Sequence, residues 1–373
     1  MLEQSFSDIS LYHEYRPARE SEHLVSQKTW DDLNLDDFFE WADRTSSCVG
    51  RQYLYDVLHY NRLSEIPEQE EVIRKLSADK ELRAEIRSEL WKHFFTEIVN
   101  VFFLREVIPV SKAFFLLQGR QEQIEEVFRY FGLVDMLCSV SELRDGLPYY
   151  VLPEACSEGE TFHAEGLYHP LIERCIPNDI TLCGKSVLVA GSNMSGKTTF
   201  IRAIGLNLLS AQVLHTCFAR SFRFPMDTAL YSAIHLEDSL MEGKSFFLQE
   251  VQIVREMLEA GKECWRFFLL DELFKGTNTV ERIAIAKAVL SALAHKNSIV
   301  FASTHDVELA SLLEDEYELF HFCECVADNT LSFDYKLKPG PVTERNAIRI
   351  IEMCGYPQEV VREAYRLSEE DVL

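Results

Sequence analysis

Three short stretches of this chain carry residue types that can do chemistry together. The first, Gly191-Ser192-Asn193-Met194-Ser195-Gly196-Lys197-Thr198, fits the phosphate-cradling template G-x-x-x-x-G-K-[ST]. Glycines let backbone N–H groups turn inward around phosphate oxygens, and a helix starting at the loop adds partial positive charge. Lys197 suits the β- and γ-phosphates, Thr198 suits Mg²⁺, and Thr199 continues the same helix start. The second stretch is Asp271-Glu272, which closes the apolar run Phe267-Phe268-Leu269-Leu270. A buried strand delivering two acids to its C-terminal edge is what a Mg-nucleotide site requires. Asp271 would coordinate the metal, directly or through water, and Glu272 would polarise an attacking water as general base. The third is His305, at the end of the apolar run Ser298 to Thr304, where it can contact a γ-phosphate.

These residues need elements to hold them. Val187-Leu188-Val189-Ala190 reads as a buried strand leading into the loop, and Phe200, Ile201, Ile204, Leu208 and Ala211 share one face of a following helix. After the acids, Lys275-Gly276-Thr277-Asn278-Thr279 leads into a helix through Ile283, Ala286, Val289, Leu290 and Leu293. Strands alternating with helices predict an α/β sheet with ligands at the strand C-termini. Between the two halves lies Gly243-Lys244-Ser245-Phe246-Phe247-Leu248-Gln249-Glu250, where a helix is expected to begin. Ser245 can serve as its N-cap, or this helix start can point at the γ-phosphate of a neighbouring subunit; one capped N-terminus can do both.

The remainder of the chain sets the context. Residues 1–27 are polar and irregular and read as a loosely attached arm. From Trp30 to about residue 145 the texture is helical, with Phe38, Phe39, Leu54, Leu58, Ile73 and Leu76 at helical spacing. The texture changes at Gly146-Leu147-Pro148. The expected organisation is an arm over 1–27, an all-α domain over 28–146 and a nucleotide domain over 147–373. A chain of 373 residues with 47% hydrophobic residues can build such cores. The formal net charge of −24 argues against a surface broadly attractive to nucleic acid or anionic membrane. Ten cysteines without a CxxC pair suit a reducing compartment, and the one close pair, Cys323 and Cys325, lacks zinc spacing. Glu97, Arg105, Glu106 and Lys112 interrupt the most apolar zone, so no membrane span is expected, and the acidic start does not read as a signal peptide. A soluble, cytoplasmic protein is expected.

Taken together, the motifs resemble the MutS family of ATPases. Asn193-Met194 within the phosphate loop is similar to that family's G-x-N-M-x-G-K-[ST] form. Asp271-Glu272 followed by Gly276-Thr277-Asn278-Thr279 resembles its D-E-x-x-x-G-T-x-T block, and Thr304-His305 its T-H block. Ser245 to Glu250 resembles the family's signature segment, and Tyr168-His169-Pro170 with Asn178-Asp179 resembles its lead-in to the loop. Phe333 to Gly340, Ala347 and Gly355-Tyr356-Pro357 resemble the end of its ATPase domain. The resemblance covers 147–370 and extends more weakly to Asp43 through Leu54 and Leu76 to Leu90, as a helical lever or core domain.

The resemblance implies an ABC-type P-loop ATPase with a mostly parallel sheet, ATP and Mg²⁺ as cofactors, and a homodimer with composite ATP sites. It implies that Ser245 reaches the other subunit's γ-phosphate and that Tyr335 packs against adenine. Departures are Ser192 and Ser195 where Pro and Gly are usual, and Phe246 where Thr is usual. The helical part is short for a lever plus DNA-clamp arms, and neither a mismatch-reading domain nor a C-terminal helix-turn-helix is expected. The expectation is a nucleotide-switched dimer in DNA repair or recombination. The rival readings are a helical domain that acts on a protein partner, a small-molecule P-loop kinase, and a module that holds ATP as a clip.

Overall fold

The computed structural model describes residues 9–15, 23–61, 66–90, 121–192, 194–226, 228–234, 246–261, 264–295, 297–327, 330–342 and 347–369. The chain divides into two compact units, Met1–Pro153 with Asn207–Phe218, and Glu154–Leu206 with Ala219–Leu373. The assignment of Asn207–Phe218 to the first unit has no counterpart in a linear reading of the sequence.

The first unit is built from α1 (Gln27–Asp32), α2 (Leu35–Ala42), α3 (Cys48–His59), α4 (Ile66–Ala78) and α5 (Gln121–Gly146), with residues 80–90 also helical. α5 lies against both α3 and α4. Apolar positions at helical spacing face inward, so Trp30, Phe38, Phe39, Leu54, Leu58, Ile73 and Val140 are all buried. α3 begins on a long-range cap. The Asp135 carboxylate, fully buried on α5, accepts from Ser46 N at 2.9 Å, Ser47 N at 2.7 Å and Ser47 Oγ at 2.6 Å. Ser47 Oγ in turn accepts from Gly50 N at 2.9 Å, so the carboxylate holds the residue that caps the first turn.

Two expectations for this unit are corrected. It is not purely helical, because His23–Leu24 pairs antiparallel with Tyr60–Asn61. Nor are the described residues of 1–27 a loose arm. Ile9 is buried, Tyr12 stacks on Phe128 at 4.1 Å, and His13 Nδ1 lies 3.0 Å from Asp56 Oδ1. Aromatic and apolar side chains spaced among the polar ones secure the segment.

Among its described residues the second unit holds three sheets, the smallest an antiparallel pair of Glu324–Ala327 with Thr330–Phe333. Its strands are β1 (Phe162–Leu167), β2 (Asn178–Leu182), β3 (Ser186–Ala190), β4 (Ser221–Phe224), β5 (Thr228–Ala233), β6 (Trp265–Asp271), β7 (Ser298–Thr304), β8 (Tyr317–His321), β9 (Glu324–Ala327), β10 (Thr330–Phe333) and β11 (Lys338–Pro339). The largest sheet has the order β11-β8-β3-β7-β6-β5. Its five longer strands pair in parallel, and β11 joins antiparallel. β3 and β7 are buried along their whole length, as continuous apolar runs covered on both faces should be. The helices are α6 (Lys197–Val213), α7 (Phe246–Glu259), α8 (Thr279–Leu293), α9 (Val307–Leu313), α10 (Ala347–Met353) and α11 (Gln358–Glu369).

One face of the sheet carries α7, α8 and α9, with Val254, Met257, Leu290 and Leu313 packed on Phe268 and Val300. On the other face lies a four-stranded sheet ordered Glu154–Ala155, β4, β1, β2. Phe162 of β1 meets Phe267 at 5.9 Å and Phe301 at 5.3 Å, edge to face. The strand register brings the C-terminal ends of β3, β6 and β7 side by side, pairing Thr304 with Ala190 and Ser303 with Asp271.

Candidate nucleotide site

The loop after β3 turns on positions with little room for a side chain. A Cβ on Gly191 would stand 2.8 Å from the Phe322 carbonyl oxygen and 2.9 Å from Ser195 Oγ. Gly196 has φ of 109°, which an L side chain rarely adopts. Met194 also takes a positive φ, 70°, and is 83% exposed, at the loop tip. α6 then begins at Lys197.

Lys197 is buried and folded back on its own loop, donating to Gly191 O at 2.7 Å and Ser192 O at 2.9 Å. Its ammonium is also 3.2 Å from Glu272 Oε1. Ser195 Oγ is buried and makes no hydrogen bond among the described residues. A narrow glycine cradle, an ammonium bound to loop carbonyls and an orphan hydroxyl fit a ligand that brings several strong acceptor oxygens. Thr198 Oγ1 donates to Asp271 Oδ2 at 2.8 Å, and Ser303 Oγ donates to Asp271 Oδ1. A hydroxyl and a carboxylate side by side are the hard oxygen pair that Mg²⁺ accepts.

Glu272 begins the turn after β6 with φ of 50°. Its backbone N–H donates to Ser303 O at 3.1 Å, so the turn is tied to β7. Its carboxylate is buried among three cationic groups: Lys197 at 3.2 Å, Lys275 at 2.7 Å and His305 Nδ1 at 3.4 Å. The imidazole of His305, then the two lysines, hold this carboxyl well below the usual carboxylate range, against the opposing effect of burial. Glu272 in turn raises the pKa of His305, which is about half exposed. Asp306 receives a two-pronged contact from Arg282, at 2.6 and 3.0 Å, which fixes the backbone next to His305.

Lys197, Thr198, Asp271, Glu272 and Lys275 border one cavity of about 690 Å³. Ser192, Met194, Gly196, Lys197, Thr198 and Thr199 line it from the loop, and Asp271 and Glu272 line it from the strand edge. Tyr335 lines the same cavity, stacked on Phe333 at 5.8 Å, with its backbone held by Asn178 Nδ2 at 3.0 Å. His305 does not line it directly and reaches it through Glu272. Asn193 and Ser245 lie outside the described residues. Sequence reasoning missed Lys275, the third cation on Glu272, and Ser303, which orients Asp271. Lys275 sits three residues after Glu272 and gave a usable signal; Ser303 depends on strand register and gave none.

The family model described as MutS domain V matches residues 187–370. A DNA mismatch repair protein MutS from Thermus thermophilus is 32% identical over 251 residues, covering 66% of this chain and 30% of that protein. MutS from Thermotoga petrophila is 26% identical over 313 residues, 82% of this chain and 37% of its own length. A DNA mismatch repair protein MutS 2 from Halobacterium salinarum is 29% identical over 259 residues, 66% of this chain and 29% of that protein. The chain thus spans about a third of the length of these relatives.

Proposed function

Because the chain belongs to the MutS family, we propose that it is an ATPase whose nucleotide state switches a dimer acting on DNA. The observation that carries this reading is the meeting of Lys197 and Glu272 with the Thr198–Asp271 pair around one cavity, with His305 behind Glu272.

The cavity takes ATP with its phosphates in the loop and its base beside Tyr335. Lys197 exchanges the carbonyls of Gly191 and Ser192 for phosphate oxygens, and the Ser195 hydroxyl gains an acceptor. Thr198 and Asp271 hold Mg²⁺, which when bound offsets negative charge on the phosphates. Glu272, kept ionised by its cations, accepts the proton of an attacking water. His305 holds Glu272 in place and acts on the γ-phosphate through it. Charge on the transferring phosphoryl group spreads over its oxygens, so cations gathered around it lower the barrier more than they favour the ground state. Ser245 from a second copy completes each site, and closure of the pair moves the helical units.

A joint measurement of phosphate release and solution mass tests this. ATP with Mg²⁺ is expected to be hydrolysed and to raise the mass to that of a dimer. Duplex, single-stranded and branched DNA, compared across a salt series, are expected to bind at low salt and weaken as salt rises. Turnover without binding to any DNA form at low salt would move the target from DNA to a protein partner. Absence of turnover would remove the enzymatic reading.

A further inference from the structure

The turn that presents Glu272 is held from two sides. On one side, Glu272 N donates to Ser303 O on β7. On the other, Phe274 N donates to Glu250 Oε1 at 2.6 Å. Glu250 is on α7, 24 residues away in sequence, and is 3% exposed. Between the two anchors the backbone passes through two left-handed non-glycine residues, Glu272 with φ of 50° and Phe274 with φ of 62°. Such conformations persist only where surrounding structure enforces them. Phe247 of the same helix meets the Phe274 ring at 6.2 Å, edge to face, so α7 grips this turn by a hydrogen bond and an aromatic contact.

Glu250 makes no described ion pair with the cations around Glu272; burial raises its pKa, against the Phe274 amide and the nearby charge of Lys275. Its only described hydrogen bond goes to a backbone amide, and its second oxygen, Oε2, is buried with no hydrogen bond among the described residues. A long, buried acidic side chain spent on one amide is a costly way to stabilise a turn, unless the turn's exact course matters.

We propose that Glu250 is a positioning residue for Glu272: it locks the strained turn after β6, and so ties the water-activating carboxylate to α7. The claim rests on the ATPase reading above and deepens it. α7 is the helix that follows Ser245 in sequence, so the element expected to meet a second copy also sets the reach of Glu272. A misplacement of about 1 Å at such a group costs on the order of a hundredfold in rate.

The test uses the full chain with Glu250→Ala and Glu250→Gln. Glu250→Gln keeps a carbonyl oxygen for Phe274 N, so it should stay near wild-type turnover. Glu250→Ala should lower kcat by about tenfold or more, while KM and the affinity for a fluorescent ATP analogue stay within about twofold. Amide exchange in peptides covering Asp271–Lys275 should speed up in Glu250→Ala, with β7 peptides unchanged. Unaltered kcat in Glu250→Ala overturns the proposal. So does an equal loss in both variants, or a change in KM alone. If the wild type itself releases no phosphate, the ATPase reading is the part that fails. Exchange then decides the positioning claim by itself, and an unchanged rate around Phe274 in Glu250→Ala overturns it.

Discussion

Glu272 and Asp135 are both carboxylates removed from water, one in each unit, and their partners differ in kind. Glu272 is surrounded by the cationic side chains of Lys197, Lys275 and His305. Asp135 is fully buried and served by the backbone amides of Ser46 and Ser47 and the Ser47 hydroxyl. The pKa of Glu272 is lowered, whereas burial raises that of Asp135 against the pull of its donors. Amides in a helix start cannot rearrange, so Asp135 fixes a fold. The long side chains of Lys197 and Lys275 can change partners when a polyanion arrives, which leaves Glu272 on His305 and able to act on water. The same functional group therefore reads as scaffold or as reagent according to whether its partners can move.

The strongest way to break this contrast is Glu272→Gln. The amide keeps the shape but cannot accept a proton from water. Turnover should fall by about 10²–10⁴-fold, or about 3–5 kcal/mol of barrier at 1.36 kcal/mol per decade. ATP should still bind, and the dimer should persist with ATP uncleaved. Phosphate release and retention of radiolabelled ATP check both halves. Turnover equal to wild type would show that another group activates the water.

Next in size is Gly50→Ala in the helical unit. A Cβ there would stand 2.2 Å from Asp135 Oδ2, so the carboxylate must shift off the amides it caps. Overpacking of this kind costs about 1–3 kcal/mol, and stranding a buried amide adds about 1–3 kcal/mol. Urea unfolding of the full chain should register the loss. Pairing Gly50→Ala with Asp135→Ala sharpens the test. The second change removes Oδ2 and Cγ, the two nearest atoms in the clash, and leaves only the Asp135 Cβ at 2.7 Å, so the double variant should be less destabilised than the sum of the singles. Additive losses would mean that the glycine and the cap do not interact.

The two carboxylates also differ in how visible they are in sequence. Asp271-Glu272 follows four apolar residues, so strand, edge and chemistry are encoded within one window. The loop at Gly191 to Thr198 and the strand before His305 are local in the same way. Asp135 carries no such signal, because its partners Ser46 and Ser47 are 88 to 89 residues away. Asn178 and Tyr335, 157 residues apart, are another pair that only tertiary structure brings together. Lys197 illustrates a further limit. The template identifies a phosphate ligand, while its folded-back contacts to Gly191 O and Ser192 O depend on backbone conformation alone. The return of Asn207–Phe218 to the first unit is hidden because α6 is buried almost all round, polar Asn207, Ser210 and Gln212 included, and runs through both units as one helix.

The smallest effect is in the pH dependence of stability, where the two carboxylates should have opposite signs. Glu272 has a folded pKa lowered from 4.5, so its stabilisation is present above that pH and is lost as pH falls through the lower folded value. His305, raised from 6.5 by Glu272, contributes below that pH and loses its contribution as pH rises through its folded value. The advantage of wild type over Glu272→Gln should therefore shrink on both sides, below 4.5 and above 6.5. Asp135 has a folded pKa raised from 3.8, so its contribution is fully present below that pH and is lost as pH rises through the folded value. Wild type compared with Asp135→Asn should thus fare better in acid than at neutrality. Half exposure of His305 keeps its limb small and sensitive to salt. Urea midpoints measured from about pH 3 to about pH 8 follow all three limbs. Acid limbs of the same sign for the two variants would erase the distinction between a carboxylate held by cations and one held by amides.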